Sequence, residues 1–174
     1  MDFNEDQRYK ERAWNEFDRA RNKARTSRMM SLLTKGCNDL PTLARIRELV
    51  KPQGECYAGC KTIPVEKIVG SEDRRADFNK DFMPRKKFMI NRWCSVARAS
   101  YQGRILPPIK VIEVGGVYFV RDGNHRVSVA RLRKFAYIDA DVTRLSSGVD
   151  LDSVTALTLS IASGKSHVGK HSAA

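Results

Sequence analysis

Val117-Tyr-Phe-Val-Arg-Asp-Gly-Asn-His-Arg-Val-Ser-Val-Ala-Arg131 passes from an apolar strand, through Asp122-Gly123, directly into a helical pattern carrying Val127, Val129, Ala130 and Leu132. The junction has a chemical use. The first backbone N–H groups of a helix lack intrahelical partners, and the aligned peptide dipoles leave partial positive charge there, so a phosphate is favoured at such an end. Gly123 permits a tight turn and leaves no side chain between an anion and the amides. Asn124 is placed to cap the helix. His125 and Arg126 stand in the first turn, where the dipole disfavours cations unless an anion shares the site. Taken alone, these few residues equally suit an ordinary capped Asp-Gly turn with two surface bases.

Outward from this junction, strand and helix patterns alternate. Gly115-Gly116 separates apolar runs over 109–114 and 117–121, as in an antiparallel hairpin. The pattern predicts a strand over 63–69, a helix over 86–102 and a last strand over 137–143, a compact α+β unit. Ahead of it, a helix over 4–33 repeats Tyr9, Ala13, Phe17, Ala20 and Ala24 at steps of three and four. A second helix over 40–50, capped by Asn38 or Asp39, puts Leu43, Ile46 and Val50 on one face, and the two helices read as an N-terminal hairpin. Residues 51–61, with Pro52, Gly54 and Gly59, read as a turn-rich connector. The expected division is therefore 1–60, 61–145 and 146–174, the last holding a short helix over 150–161 and a polar tail.

A chain of 174 residues with 41% hydrophobic and 30% charged residues has the composition of a soluble globular protein. No run approaches the roughly 18 apolar residues of a membrane span, and the N-terminus is acidic and mixed, so a cytoplasmic protein with no membrane partner is expected. A net charge of +12 favours polyanionic partners and also serves solubility. It is concentrated in Arg19, Arg21, Lys23, Arg25 and Arg28, a run without an intervening acid and a candidate nucleic-acid surface. Cys37, Cys56, Cys60 and Cys94 lack zinc-ribbon pairing and read as reduced thiols; the Cys56 to Cys60 spacing is one residue longer than the usual knuckle. His167 and His171 have helical metal-ligand spacing but lie in the polar tail and read as solvated. No metal site is expected in the chain itself.

Asp122-Gly-Asn-His-Arg126 followed by Val-Ser128-Val-Ala resembles the phosphate-contacting motif of the ParB and sulfiredoxin superfamily. Ile63-Pro-Val-Glu-Lys-Ile-Val69 is similar to that family's opening strand, Leu106-Pro-Pro-Ile-Lys-Val-Ile112 to the segment after its first helix, and Tyr137-Ile-Asp-Ala-Asp-Val142 to its closing strand. Together they cover about half the chain in the family's order. The resemblance implies a small mixed sheet with helices that binds a nucleotide triphosphate, ATP or CTP, with magnesium as a further ligand. Gly123, Asn124, His125, Arg126 and Ser128 would contact phosphate. The loop containing Gly70, Ser71, Arg74 and Arg75, followed by Phe82-Met-Pro-Arg85, is similar to a pattern in bacterial members, and its arginines suit closure over phosphates. Resemblance to sulfiredoxin also implies that Arg92, Ser95 and Arg98, at steps of three, face the nucleotide.

Two departures narrow the function. Asn124 stands where sulfiredoxin has its catalytic cysteine, and an amide cannot act as a thiolate nucleophile, so sulfiredoxin activity is not expected. ParB partition proteins carry Gly-Glu-Arg-Arg at this turn and DNA-reading and dimerisation domains after it, for which residues 146–174 are too few. The readings that remain are a nucleotide-dependent regulatory or DNA-associated module, with a homodimer among its states, and a phosphotransferase resembling the family's serine kinase, an NTPase or a nuclease. In the enzyme reading Asp122, Glu72 or Asp73 serves as base or magnesium ligand, and His125 and Arg126 stabilise transferred charge. A third reading makes Trp14, Phe17 and Met29 anchors for a partner protein.

Overall fold

Strands that are apolar at nearly every position, such as 109–114 and 117–121, suit a sheet covered on both faces. The computed structural model describes residues 3–146. In chain order it contains α1 (Phe3–Leu33), α2 (Leu43–Val50), β1 (Gly54–Pro64), β2 (Ile68–Ser71), α3 (Ile90–Tyr101), β3 (Ile109–Val114), β4 (Val117–Asp122), α4 (Asn124–Leu132) and β5 (Tyr137–Ser146). The five strands form one mixed sheet in the order β1-β5-β3-β4-β2. β1 with β5 and β3 with β4 are antiparallel; β3 with β5 and β2 with β4 are parallel. The α+β class and the hairpin at Gly115-Gly116 follow the sequence patterns.

On one face Ile109, Val111, Val120, Ala140 and Val142 meet Trp93 and Ala97 of α3, Val127 and Val129 of α4, and Ala13, Phe17, Ala20 and Ala24 of α1. On the other, Ile112, Val114, Val117, Phe119 and Leu145 meet Leu43 and Ile46 of α2. The two N-terminal helices therefore cover opposite faces of the sheet and do not form the expected hairpin. The physical reason is that α3 and α4 cover one face only, so Leu43 and Ile46 bury more apolar surface on the bare face than against the alanines of α1.

Three other expectations are corrected. The connector over 51–61 is mostly β1, an edge strand with a bulge between Tyr57 and Cys60. Most of its residues are exposed, so it is held by ladder hydrogen bonds to β5 and carries no hydrophobic period to read. The single strand over 63–69 is two strands at opposite ends of the strand order, separated by a 3-10 turn at Val65–Lys67. α2 starts at Leu43, and neither Asn38 nor Asp39 caps it. The Asn38 Oδ1 accepts from Ser27, and Asp39 pairs with Arg75 and Arg85. The expected helix over 150–161 and His167 and His171 lie outside the described residues.

α1 is joined to the core by polar contacts as well as packing. Arg133 at the end of α4 pairs with Glu16 of α1 at 2.9 Å and lies 3.9 Å from the Tyr101 ring centroid. Phe17 meets Trp93 edge to face at 5.7 Å. Phe17 is thus a core residue, whereas Trp14 and Met29 are exposed. No helix among the described residues is long and apolar enough to cross a membrane.

Candidate functional site

β4 ends at Asp122 and α4 begins at Asn124, which leaves Gly123 as the whole of the turn. Gly123 has φ of 102° and ψ of 20°, and a Cβ there would lie 2.5 Å from Ile109 Cγ2 and 2.9 Å from its Cβ. Only glycine meets both conditions without strain. The first amide of the helix with a backbone partner is Val127, which donates to the Gly123 carbonyl at 3.0 Å. Those of Asn124, His125 and Arg126 have none among the described residues. These residues line a cavity of about 270 Å³.

Four guanidiniums border this cavity, Arg74, Arg92, Arg121 and Arg126, against two carboxylates, Asp77 and Asp122. Three of the four are already engaged. Arg74 pairs with Asp77 at 3.2 Å; Arg121 reaches Glu55 and Glu72 at 3.0 and 3.1 Å. Arg126 pairs with Asp122 at 2.9 Å and donates to the carbonyls of Pro107 and Pro108. Arg92 makes no ion pair among the described residues, so it is the uncommitted cation facing the unpaired amides.

Asn124 does not cap α4; it is the first helical residue, 7% exposed, and its Oδ1 is buried without a partner. Its amide turned over would present Nδ2 at the same point. A buried polar atom left unpaired costs about 1–3 kcal/mol, which a ligand atom would offset. Beside it, the His125 ring meets Phe78 edge on at 5.4 Å, and its Nδ1 is also buried without a partner. Burial first, then Arg92 and Arg74, push the His125 pKa down to about 4, with Asp77 opposing. In this arrangement His125 is neutral at pH 7.

The sign of this shift sets a pH dependence. The unfolded chain binds the proton near pH 6.5 and the folded chain only near 4, so stability is complete above 6.5 and falls as pH drops through the interval. With partial exposure discounted, roughly 1 kcal/mol should be lost between pH 7 and 5. Urea unfolding of the native chain and of His125→Gln at both pH values measures it. The native chain should lose more stability than the variant; equal losses would contradict the assignment.

The other residues picked out in the sequence divide into two groups. Asp122, Gly123, Asn124, His125, Arg126, Arg74 and Arg92 come together at the cavity. Ser128 is fully buried and accepts from Trp93 Nε1 at 2.9 Å, which places its hydroxyl in the core. Ser71 is buried and donates to the Val120 carbonyl, and Gly70 is a packing glycine whose Cβ would strike Pro41 O and the Phe119 ring. Arg75 holds Asp39 at 2.6 Å, and Arg98 holds Asp6 of α1 at 2.8 Å. Ser95 is exposed and does not line the cavity. Glu72 is tied to Arg121, and Asp73 is exposed. Asp77, Phe88 and Arg121 were not singled out; nothing in their local pattern distinguishes them from ordinary surface positions.

Among the five basic residues of the run from Arg19 to Arg28 in α1, Arg21, Arg25 and Arg28 follow one flank at steps of four and three, while Arg19 and Lys23 follow another. None makes an ion pair among the described residues. Arg25 and Arg28 border a groove of about 550 Å³ together with Cys37, Asp39, Arg85 and Lys86. Lys86 also pairs with Asp77 of the first cavity at 2.9 Å.

The thiols offer no nucleophile at the turn. Cys94 is buried, and burial raises its pKa to about 11, so it stays protonated. Cys37, Cys56 and Cys60 are exposed. No group of three or more metal-ligating side chains occurs among the described residues. Both cavity carboxylates have cationic partners, Asp77 in Arg74 and Lys86 and Asp122 in Arg126.

Neither protein-family models nor curated proteins give a match to the chain. Among solved structures it is similar to sulfiredoxin from Arabidopsis thaliana, at 24% identity over 48% of this chain and 82% of that chain, with a TM-score of 0.36. This is a partial likeness of fold.

Proposed function

We propose that the chain binds the phosphates of a nucleotide triphosphate, ATP or CTP, at the N-terminus of α4. The observation that carries the reading is the set of three unpaired amides at Asn124, His125 and Arg126 on a cavity bordered by the unpaired Arg92. The dipole of α4, the glycine turn and the excess of guanidinium over carboxylate all favour an anion there. The resemblance of the Asp122 to Arg126 motif to that of the ParB and sulfiredoxin superfamily adds to this. An anion would also offset the push of Arg92 and Arg74 on His125, so binding is linked to proton uptake.

Binding rather than turnover is the better reading of these residues. The Asp122 carboxylate is tied to Arg126, and His125, with a pKa of about 4, is a weak base at neutral pH. The regulatory part of the proposal follows from the loop over 72–86. Asp77 borders the nucleotide cavity and pairs with Lys86, which borders the groove of Arg25 and Arg28. Occupancy of the first cavity then alters the charge offered at the second, where DNA phosphates would lie. Duplex binding through α1 should weaken steeply with added salt; a salt-independent affinity would count against it.

Calorimetric titration of the full chain with ATP, CTP, GTP and ADP tests the main claim. At least one nucleotide should bind, and Arg92→Ala should weaken it about tenfold or more, the usual worth of a hydrogen bond to a charged group. No binding by any of the four would refute the proposal.

A further inference from the structure

Phe88 is 73% exposed and borders the same cavity as Asn124, His125 and Arg126. It lies in the 3-10 turn Lys87–Met89 that leads into α3, one helical turn before Arg92. Folding does not explain its position. Its neighbour Met89 is buried in the core, whereas Phe88 stays exposed and lines the cavity. Lys86 Nζ sits 5.5 Å from the ring centroid and is itself held by Asp77 at 2.9 Å, so the ring has an ordered neighbour despite its exposure.

The cavity volume of about 270 Å³ falls below the roughly 300–1,000 Å³ of sites that enclose a whole small-molecule ligand. It suits a phosphate chain, and the ring of Phe88, exposed at the border of the cavity, is open to the rest of a nucleotide. Met89 and Val96 add apolar side chains to the lining of the same cavity. An exposed aromatic ring beside a phosphate site is the arrangement that holds a nucleobase by stacking.

We propose that Phe88 is the base platform of the site, which makes the ligand a nucleotide rather than an inorganic phosphate or phosphorylated sugar. The inference rests on the phosphate reading above and adds the ligand class. Because every base offers a π face, the platform holds all four bases.

The test is a calorimetric comparison of inorganic tripolyphosphate with ATP, CTP, GTP and UTP on the full chain, Phe88→Ala and Phe88→Tyr. An exposed substitution of this kind leaves stability nearly unchanged, and thermal unfolding of each variant checks that. Phe88→Ala should weaken the nucleotides that bind by about 5- to 150-fold, the range of one base–aromatic stack, and leave tripolyphosphate unaffected; Phe88→Tyr should restore nucleotide affinity. Nucleotide affinity unchanged in Phe88→Ala overturns the platform while the phosphate site stands. Equal weakening of tripolyphosphate and nucleotide also overturns it, since Phe88 would then act on the phosphate site. Failure of tripolyphosphate and nucleotides alike to bind the native chain removes the phosphate reading and the platform with it.

Discussion

Gly123→Ala is expected to lower folding stability by about 2–4 kcal/mol and to weaken any anion bound at the α4 terminus. Two costs add. A non-glycine residue at φ of 102° carries roughly 1–2 kcal/mol of backbone strain. The new Cβ would also lie 2.5 Å from Cγ2 of Ile109, a fully buried residue of β3. Overpacking of that kind costs about 1–3 kcal/mol. Relief by a shift of the turn would reorient the amides of Asn124, His125 and Arg126, so binding and stability fall together. Urea unfolding gives the first quantity and tripolyphosphate titration the second. A loss below about 0.5 kcal/mol with unchanged affinity would show that the turn tolerates a side chain.

Trp93→Ala should have the larger effect on folding, about 3–5 kcal/mol, the usual range for removing a buried aromatic ring. Trp93 is fully buried, meets Phe17 of α1 at 5.7 Å and donates to Ser128 Oγ of α4 at 2.9 Å. It therefore ties its own helix, α3, to both α1 and α4. Trp93→Phe keeps most of the ring and loses the hydrogen bond, so about 1–2 kcal/mol is expected. The ordering alanine worse than phenylalanine worse than native is the result to look for in urea midpoints; equal losses for the two variants would show that the hydrogen bond, not the packing, dominates. Because Arg92 precedes Trp93 and Ser128 lies on the helix whose N-terminus forms the turn, loosening this contact also moves the uncommitted guanidinium relative to the unpaired amides.

The parts of this fold that the sequence discloses are those stabilised by local periodicity. The β3–β4 hairpin shows through Gly115-Gly116, and α1 through the stripe Ala13, Phe17, Ala20 and Ala24, all four buried. β1 does not show, because an edge strand held by ladder bonds keeps most of its side chains in solvent. The opposite placement of α1 and α2 was hidden for a different reason. Sheet coverage is a tertiary property, and Leu43 and Ile46 look the same in either arrangement.

At the site, the turn itself was legible because glycine, helix start and charge are adjacent in sequence. The partners that come from elsewhere were legible only in part. Arg92 and Arg74 reach the cavity, whereas Arg75 and Arg98 are taken up by Asp39 and Asp6. Serines were the least informative. Ser71 and Ser128 satisfy buried backbone and indole groups, and a hydroxyl in sequence does not reveal which of the two uses it has.

The most direct measurement is the amide spectrum of the isotopically labelled chain during titration with tripolyphosphate. Saturable shifts are expected at the Asn124, His125 and Arg126 amides and at the Arg92 side chain, with smaller changes through Gly123. A spectrum in which those amides do not move, or in which the only shifts fall on Arg25 and Arg28 of α1, would contradict a phosphate site at the start of α4.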